Sequence, residues 1–130
     1  MKKEFYSWNQ FEKDCNKLAK LVKKSKQSLK AVYGIPRGGL TLAVRLSHKL
    51  ELPLIVDGSL VNRSTLIVDD IADSGKTLIL FCGKNKYITA TLFYSPNSDC
   101  KPTYFSRKKE KWVVFPWEEE KTSKYDKTKV

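Results

Sequence analysis

The stretch TLIVDDIADSGKT, residues 65–77, is the most informative part of this 130-residue chain. No polar residue interrupts its apolar run 66–68, which predicts a strand buried on both faces of a parallel sheet. Asp69 and Asp70 follow at the point where we expect that strand to end. Residues 74–77 then open a helical pattern, and the unpaired N–H groups of a helix start favour a phosphate. Carboxylates beside a phosphate cradle would suit a phosphorylated sugar.

A second junction of this kind lies earlier in the chain, where the strand candidate 30–33 runs directly into IPRGG, residues 35–39. The two glycines permit a close approach of the backbone to a ligand. Arg37 would project from the tip of the junction, and its planar guanidinium suits phosphate oxygens. The alternative interpretation is a plain glycine turn that carries a surface arginine.

Helical and strand patterns alternate along the chain. The helices are predicted at 8–24, around 42–50 and after 77, and the strands at 30–33, 54–56, 66–68, 87–94 and 103–105. This alternation predicts an α/β domain with a mostly parallel sheet flanked by helices. We expect a single domain over residues 1–118 and a disordered, charged tail over residues 119–130. Ligands bind beyond the carboxyl ends of such strands, so Arg37 and the 69–77 loop should lie at the same edge.

The composition is that of a globular protein, with 41% hydrophobic residues. The chain lacks an apolar run of the roughly 18 residues that a transmembrane helix needs. Its first residues, MKKEF, lack the apolar core of a signal peptide, so we expect neither membrane contact nor secretion. The three cysteines are widely spaced, match no metal-binding pattern and fit the reduced thiols of a cytoplasmic protein.

The net charge of +11 raises the possibility of a nucleic-acid partner. The basic residues are spread through the first helix, the segment 107–111 and the tail 121–129. We therefore interpret them as solvated surface and do not expect a nucleic-acid partner. A basic surface would equally attract a small substrate that is rich in phosphate.

Two other phosphate chemistries fit the 65–77 stretch less well. The triplet GKT at 75–77 is typical of a P-loop, but that motif needs a glycine where this chain has Asp70. A carboxylate there would repel phosphate, which disfavours a nucleoside triphosphatase. A Mg²⁺-dependent phosphatase or nuclease usually gathers acids from several segments, whereas only Asp57 lies near another predicted strand end.

Residues 66–77 resemble the signature of the type I phosphoribosyltransferases, in which hydrophobic residues lead to two acids and a small-residue phosphate loop. The segment 35–39 looks like the pyrophosphate loop of that family. The segment WVVFPWE, residues 112–118, is similar to the C-terminal part of the 6-oxopurine salvage enzymes. The resemblance covers residues 30–118, and the three motifs occur in the family's order.

The resemblance implies a Mg²⁺-dependent transfer of the 5-phosphoribosyl group from 5-phosphoribosyl 1-pyrophosphate (PRPP) to a 6-oxopurine base, namely guanine, xanthine or hypoxanthine. The products would be the nucleoside monophosphate and pyrophosphate, in purine salvage, and a homodimer is expected. The alternative is a regulatory protein on the same fold that binds PRPP or a nucleotide with little catalysis. The short segment between Val56 and Thr65, where the family usually has a longer mobile loop, motivates that alternative.

The resemblance also implies residue roles. Asp69 and Asp70 would take the ribose hydroxyls, with Asp70 also near Mg²⁺, and Arg37 would hold pyrophosphate beside a cis Pro36–Arg37 bond. Asp73 would assist proton transfer at purine N7. The implied catalytic residues are therefore Asp73 and Arg37. The implied PRPP-binding residues are Arg37, Gly38, Asp69, Asp70, Ala72, Asp73, Ser74, Gly75, Lys76 and Thr77, and the implied base-binding residues are Asp73, Trp112 and Val113.

Overall fold

The computed structural model describes residues 2–82 and 86–125, and every element named here lies within those ranges. The helices are α1 (Trp8–Lys24), α2 (Leu40–Leu50) and α3 (Lys76–Cys82). The strands are β1 (Lys3–Phe5), β2 (Ala31–Gly34), β3 (Leu54–Ile55), β4 (Thr65–Ala72), β5 (Ile88–Tyr94), β6 (Tyr104–Lys108) and β7 (Trp112–Val114). Two short 3₁₀ helices span Gly58–Leu60 and Glu120–Tyr125. Each predicted helix and strand is present and in the predicted order, and β1 and β7 are additional strands.

Five strands form one parallel sheet in the order β3-β2-β4-β5-β6. Strand β4 lies at its centre and pairs with β2 on one side and β5 on the other. Residues 66–68 are completely buried, as the uninterrupted apolar run predicts for a strand covered on both faces. The α/β class with a mostly parallel sheet is therefore confirmed.

The order of the strands creates a crevice at one edge of the sheet. The chain passes from β2 to β3 in one direction and then crosses back to β4 on the opposite side of β2. The connections that leave β2 and β4 at their carboxyl ends therefore run apart. Such a switch point is where open α/β sheets bind ligands.

Helices cover both faces of the sheet. One core contains α1 and α2 and the side chains of Val32 and Val68, whereas the other contains Leu78 of α3 and the alternate residues Tyr33 and Ile67. This division follows from the alternation of side chains along β2 and β4. Helix α1 begins with a capping box between Ser7 and Gln10. Over residues 2–82 and 86–125, no helix is both long enough and apolar enough to span a bilayer.

A short N-terminal strand was not predicted. Strand β1 pairs in parallel with β7, so that Lys3 lies opposite Trp112 and Phe5 opposite Val114. A strand of three residues is too short to show a periodic pattern in the sequence. The next residue, Tyr6, is buried between the rings of Phe93 and Phe115. The N-terminus therefore holds the C-terminal aromatic segment against the domain.

Two predicted boundaries were wrong at the carboxyl edge of the sheet. Strand β4 was expected to end at Asp69 and Asp70, but its pairing with β5 continues to Ala72 opposite Tyr94. Strand β6 likewise extends to Lys108, although the segment 107–111 was interpreted as solvated surface. In both cases pairing with a neighbouring strand, which local sequence does not reveal, extends the strand.

Arg107 is not a solvated cation, because it compensates a buried carboxylate. Its Nε lies 2.8 Å from Oδ2 of Asp14, a residue of α1 that is only 5% exposed. Asp14 also accepts hydrogen bonds from the hydroxyls of Tyr6 and Ser106. Burial, followed by the hydrogen bond to Asp14 and then by the negative charge of Asp14, raises the pKa of Tyr6 well above its usual value. This network fastens α1 to β6.

The expected division between a domain at residues 1–118 and a disordered tail stays a prediction. At the start of the predicted tail, Glu120–Tyr125 form a 3₁₀ helix, and the carbonyl oxygen of Thr122 accepts a hydrogen bond from Arg37. A contact between residues 85 positions apart cannot be inferred from tail composition. Residues 126–130 lie outside the described residues.

The aromatic cluster makes a testable contribution to stability. Phe93 is 1% exposed and packs edge-on against Tyr6 at 5.3 Å between ring centroids. Phe93→Ala should lower the free energy of unfolding by about 3–5 kcal/mol, because it leaves a cavity. Phe5→Ala is the matched control, since Phe5 is 74% exposed, and should change it by less than about 0.5 kcal/mol. Equal losses in urea denaturation would contradict this assignment of the core.

Candidate active site

A cleft of about 360 Å³ opens at the switch point, beyond the carboxyl ends of β2 and β4. That volume is in the range of small-molecule binding sites. Three parts of the chain line it: the loop after β2, the end of β4 with the loop that follows, and the C-terminal aromatic segment. The lining residues are Ile35, Pro36, Gly38, Asp69, Asp70, Ile71, Ala72, Asp73, Ser74, Gly75, Thr77, Leu78, Lys109, Trp112, Val113, Phe115 and Glu118.

Most of the predicted site residues come together in this cleft. Those that line it are Gly38, Asp69, Asp70, Ala72, Asp73, Ser74, Gly75, Thr77, Trp112 and Val113. Arg37 and Lys76 are exposed and are not among the lining residues. Lys76 is the first residue of α3, whereas Arg37 lies at the tip of the loop after β2. The individual roles given to these residues stay predictions.

The loop after β2 packs directly on β4. The Pro36–Arg37 peptide bond is cis, as the resemblance implies. A Cβ atom on Gly38 would lie 2.5 Å from Oδ2 of Asp70, and one on Gly39 would lie 2.4 Å from the carbonyl oxygen of Val68. Both glycines therefore allow close contact with the neighbouring strand, whereas the sequence had suggested close contact with a ligand. This packing brings the loop against the acid pair.

The acid pair is crowded and poorly hydrated. Asp69 is 7% exposed, and its Oδ1 accepts a hydrogen bond of 2.9 Å from the N–H of Asp70. Burial raises the pKa of Asp70 well above its ordinary value, and the negative charge of Asp69 raises it further. Glu118, on the C-terminal side of the cleft, adds to this effect. A cation or a hydroxyl donor placed here would relieve the repulsion.

The loop after β4 is braced by the segment that follows β5. The N–H of Asp99 donates to the carbonyl oxygen of Ser74 at 2.8 Å. Gly75 has a positive φ of 83°, and a Cβ atom there would lie 2.5 Å from the backbone nitrogen of Cys100. Only glycine fits this position without strain. The bracing holds the hydroxyl-bearing residues Ser74 and Thr77 along the cleft wall.

Lys109 is a cleft residue that the sequence analysis missed. Its Nζ lies 2.9 Å from Oδ1 of Asp73 and 5.3 Å from the ring centroid of Trp112. Its backbone N–H donates to the carbonyl oxygen of Tyr94 at 2.8 Å, so it extends the pairing of β5 and β6. Lys109 lies in the basic segment 107–111, and a longer β6 would have placed it at the same edge as Asp73.

Arg37 lies at the rim of the cleft and contacts the C-terminal 3₁₀ helix. Its Nη2 donates to the carbonyl oxygen of Thr122 at 2.8 Å and to the Thr122 hydroxyl at 3.4 Å. The guanidinium is exposed, so rotation of its flexible side chain can carry it to other partners. The rim therefore holds a cation, whereas the interior of the cleft is rich in carboxylates.

The fold and the site together define the class of the protein. A parallel sheet with its cleft at the switch point, an acid pair on the central strand and a glycine-containing loop after it form the type I phosphoribosyltransferase fold.

Comparison with known proteins then gives the family. No protein-family model matches the chain. The structure of a purine phosphoribosyltransferase from Pyrococcus horikoshii Ot3 is 32% identical, with a TM-score of 0.75, and covers 92% of this chain and 95% of its own. Because that relative is matched over almost its whole length, this chain belongs to the purine phosphoribosyltransferase family and is an enzyme of that kind.

Two further relatives are similar over most of their length. The xanthine-guanine-hypoxanthine phosphoribosyltransferase of Helicobacter pylori is 26% identical with a TM-score of 0.75, and the match covers 89% of this chain and 93% of that one. The xanthine-guanine phosphoribosyltransferase of Cereibacter sphaeroides is 28% identical, over 86% of this chain and 84% of its own. These matches confirm the resemblance that the three sequence motifs suggested.

Asp70 should oppose folding at neutral pH. Its pKa is raised in the folded protein, so ionisation above the ordinary pKa of an aspartate costs stability. Asp70→Asn should therefore raise the free energy of unfolding at about pH 7, and the gain should vanish as the pH falls to about 3. Urea denaturation across that pH range measures the effect.

Asp57→Asn serves as the matched control for this experiment. Hydrogen bonds from the hydroxyl and the N–H of Ser59 lower the pKa of the exposed Asp57, so its ionised form favours the folded state. The Asp57 variant should lose stability at neutral pH and match the wild type in acid. A loss of stability for Asp70→Asn at neutral pH would show that Asp70 is not under strain from its neighbours.

Proposed function

We propose that this enzyme transfers the 5-phosphoribosyl group from PRPP to a 6-oxopurine base, releasing pyrophosphate and forming the nucleoside 5′-monophosphate. The observation that carries the proposal is the convergence of Asp69, Asp70, Asp73, the 74–77 loop and Trp112 on one cleft. The names of the Helicobacter and Cereibacter relatives support guanine, xanthine and hypoxanthine as the bases. We further propose a role in purine salvage, in the cytoplasm and as a homodimer.

The acid pair suits the sugar. Carboxylates accept hydrogen bonds from the 2′- and 3′-hydroxyls, and their negative charge complements the cationic ribose ring that forms as the C1–O bond breaks. The raised pKa of Asp70 supports this role, because a hydroxyl donor or a cation would stabilise its ionised form. Asp69 and Asp70 therefore orient the ribose and stabilise the transition state.

The loop that follows β4 suits the 5′-phosphate. Ala72, Asp73, Ser74, Gly75 and Thr77 all line the cleft directly beyond the acid pair. Hydroxyls and backbone N–H groups are the donors that phosphate oxygens need. Lys76 adds a positive charge at the start of α3. Because its side chain is exposed to solvent, we propose that it attracts the phosphate more weakly than the residues that line the cleft.

Arg37 and Gly38 suit the departing pyrophosphate. Bond cleavage places negative charge on the leaving oxygen, and a guanidinium stabilises such charge by bidentate hydrogen bonds. Gly38 lines the cleft beside Asp70, so the backbone of this loop borders the expected path of the leaving group. Arg37 would exchange its contact with Thr122 for one with pyrophosphate.

The donor set of the cleft fits Mg²⁺ that arrives with the substrate. Mg²⁺ is usually held by one or two carboxylates together with substrate phosphates. Asp70 provides one carboxylate and Glu118 a second in the same cleft. Within the described ranges, no cluster of three or more acidic, histidine or cysteine side chains could hold a metal alone. When bound, Mg²⁺ neutralises charge on the pyrophosphate.

The base would lie against the C-terminal aromatic segment. Trp112 is 54% exposed and offers a ring face for stacking, while Val113 lines the adjacent wall. Stacking aligns the attacking nitrogen with C1 of the ribose. As that nitrogen forms the new bond, the purine loses its N7 proton, and the Asp73 carboxylate accepts it.

A direct assay tests the proposal. Radiolabelled PRPP is incubated with guanine, xanthine, hypoxanthine or adenine, and nucleotide products are separated and counted. We expect product with at least one 6-oxopurine. PRPP binding without product from any base would instead favour the regulatory alternative, in which the same cleft binds PRPP with little catalysis.

Arg37→Ala should reduce turnover about 10²–10³-fold, because it removes a donor that stabilises developing charge on the leaving group. Steady-state kinetics with PRPP as the varied substrate measures the change. Arg63→Ala removes the same charge from an exposed residue just before β4, at the opposite edge of the sheet, and is the control. Equal behaviour of the two variants would exclude Arg37 from the reaction.

Asp73→Asn should lower turnover about 10²–10⁴-fold, because an amide cannot accept the N7 proton. PRPP binding, measured by isothermal titration calorimetry, should change far less. Asp99→Asn, in the segment that braces the loop, controls for a general loss of negative charge at this edge. Loss of turnover and of PRPP binding in equal measure would assign Asp73 a purely structural role.

A further inference from the structure

We propose that the outer face of α1 binds the phosphate backbone of duplex DNA, as an activity separate from the transferase site. The basic residues are spread along the sequence, and for that reason we did not expect a nucleic-acid partner. In the structure, however, four exposed lysines of α1 lie in one line along the helix, which we call the basic row. Its members are Lys13, Lys17, Lys20 and Lys24.

The spacing of the basic row places all its side chains on one side of the helix. Successive members are three or four residues apart, and such neighbours lie one above another on a helix surface. The opposite side of α1 is buried in the core through Phe11, Cys15 and Leu18. The rise of an α-helix makes the row about 16 Å long. A small anion would meet only part of that length, whereas an extended polyanion would meet all of it.

No acid of α1 neutralises the basic row. Glu12 pairs with Arg45 and Lys49 of α2, at 3.0 and 2.8 Å. Asp14 is buried and pairs with Arg107. In the part of the chain that the structure describes, no carboxylate lies within ion-pair distance of a member of the row. Neighbouring like charges on a helix repel one another, so an anionic partner would relieve this repulsion.

The basic row is separate from the cleft. Among the described residues that line the cleft, none belongs to α1. Lys17 donates to the carbonyl oxygen of Ser106 at 2.6 Å, and this neutral acceptor leaves the charge of the ammonium uncompensated.

Further cations follow the end of α1. The chain leads from there to Lys30, whose N–H donates to the carbonyl oxygen of Ser64 beside the exposed Arg63. These residues precede β2 and β4, at the edge of the sheet opposite the cleft. Residues 13–30 contain seven lysines and a single acid, Asp14, so the positive charge of the chain is concentrated on this side.

The chemistry of the basic row favours duplex DNA over other polyanions. A helix that binds a membrane turns its apolar face toward the lipid, whereas α1 buries that face in the core. Proteins that bind single strands usually stack the bases on aromatic side chains, and residues 13–30 contain none. Duplex RNA is recognised partly through its 2′-hydroxyls, whereas the row offers ammonium groups alone. Ammonium groups bind the phosphates of duplex DNA without regard to base sequence.

Salt dependence gives a quantitative test of this contact. The binding of a short fluorescent DNA duplex is measured by anisotropy at several salt concentrations. Four phosphate contacts should give a slope of about −3 to −4 for the logarithm of the association constant against the logarithm of the salt concentration. A fourfold rise in salt should therefore weaken binding by about 10²-fold. Two duplexes of unrelated sequence should bind equally well, and an excess of PRPP should displace neither.

A row variant and a matched control decide whether the basic row makes the contact. The row variant replaces all four lysines by glutamine, which has a similar helix propensity. Its slope should fall nearly to zero, by about 1 for each lysine, and its binding at low salt should weaken by more than about 10²-fold. The control removes the same charge from four exposed lysines elsewhere and should keep the slope, because salt screens distant charges. The control lysines are Lys2, Lys3, Lys101 and Lys108.

Circular dichroism checks that both variants are folded. Equal weakening by the two variants would attribute the binding to net charge and overturn the proposal. A wild-type protein that does not bind the DNA duplex, or a row variant that binds it as the wild type does, would also overturn it. Tighter binding to an RNA duplex of the same sequence, or to phosphatidylserine vesicles, would exclude DNA as the partner. These measurements need no turnover, so their outcome and that of the transferase assay are independent.

Discussion

Strand β4 is hydrogen-bonded to a parallel neighbour on each side, and both the core and the cleft depend on this pairing. Its position at the centre of the sheet requires Leu66, Ile67 and Val68 to be buried on both faces. The same strand carries Asp69 and Asp70 at its carboxyl end, where pairing with β5 continues to Ala72. The buried central strand therefore positions the acid pair of the site, and a site built on a regular element is positioned more accurately than one built on a loop.

Charge is distributed in opposite ways over the surface and the cleft. The chain carries a net charge of +11, yet the described lining of the cleft contains four carboxylates and one ammonium. The carboxylates would favour the cationic transition state of the proposed reaction. The basic surface would attract the phosphates of a substrate, and Arg37 at the rim adds a local positive charge.

The site is assembled from segments that are far apart in the sequence. Strand β1 holds β7, and thereby Trp112, against the domain at one side of the cleft. At the other side, the glycines of the 35–39 loop allow it to pack on the end of β4. The buried acid pair lies between them, and burial together with the charge of Asp69 raises the pKa of Asp70. Unfavourable burial of charged groups, which lowers the stability of the fold, is common where a site binds a ligand that compensates the charge.

The sequence by itself determined the α/β class, the buried run 66–68, the junction 35–39 and most residues that line the cleft. These features are local, because an uninterrupted apolar run or a glycine pair is visible within a few positions. Only the tertiary structure decided the length of β4, the pairing of β1 with β7 and the contact of Arg37 with Thr122. It also showed that Lys109, which belongs to the segment 107–111 that we had interpreted as solvated surface, lies in the cleft beside Asp73. Strand pairing between distant segments places these residues, and a single sequence does not reveal which segments pair.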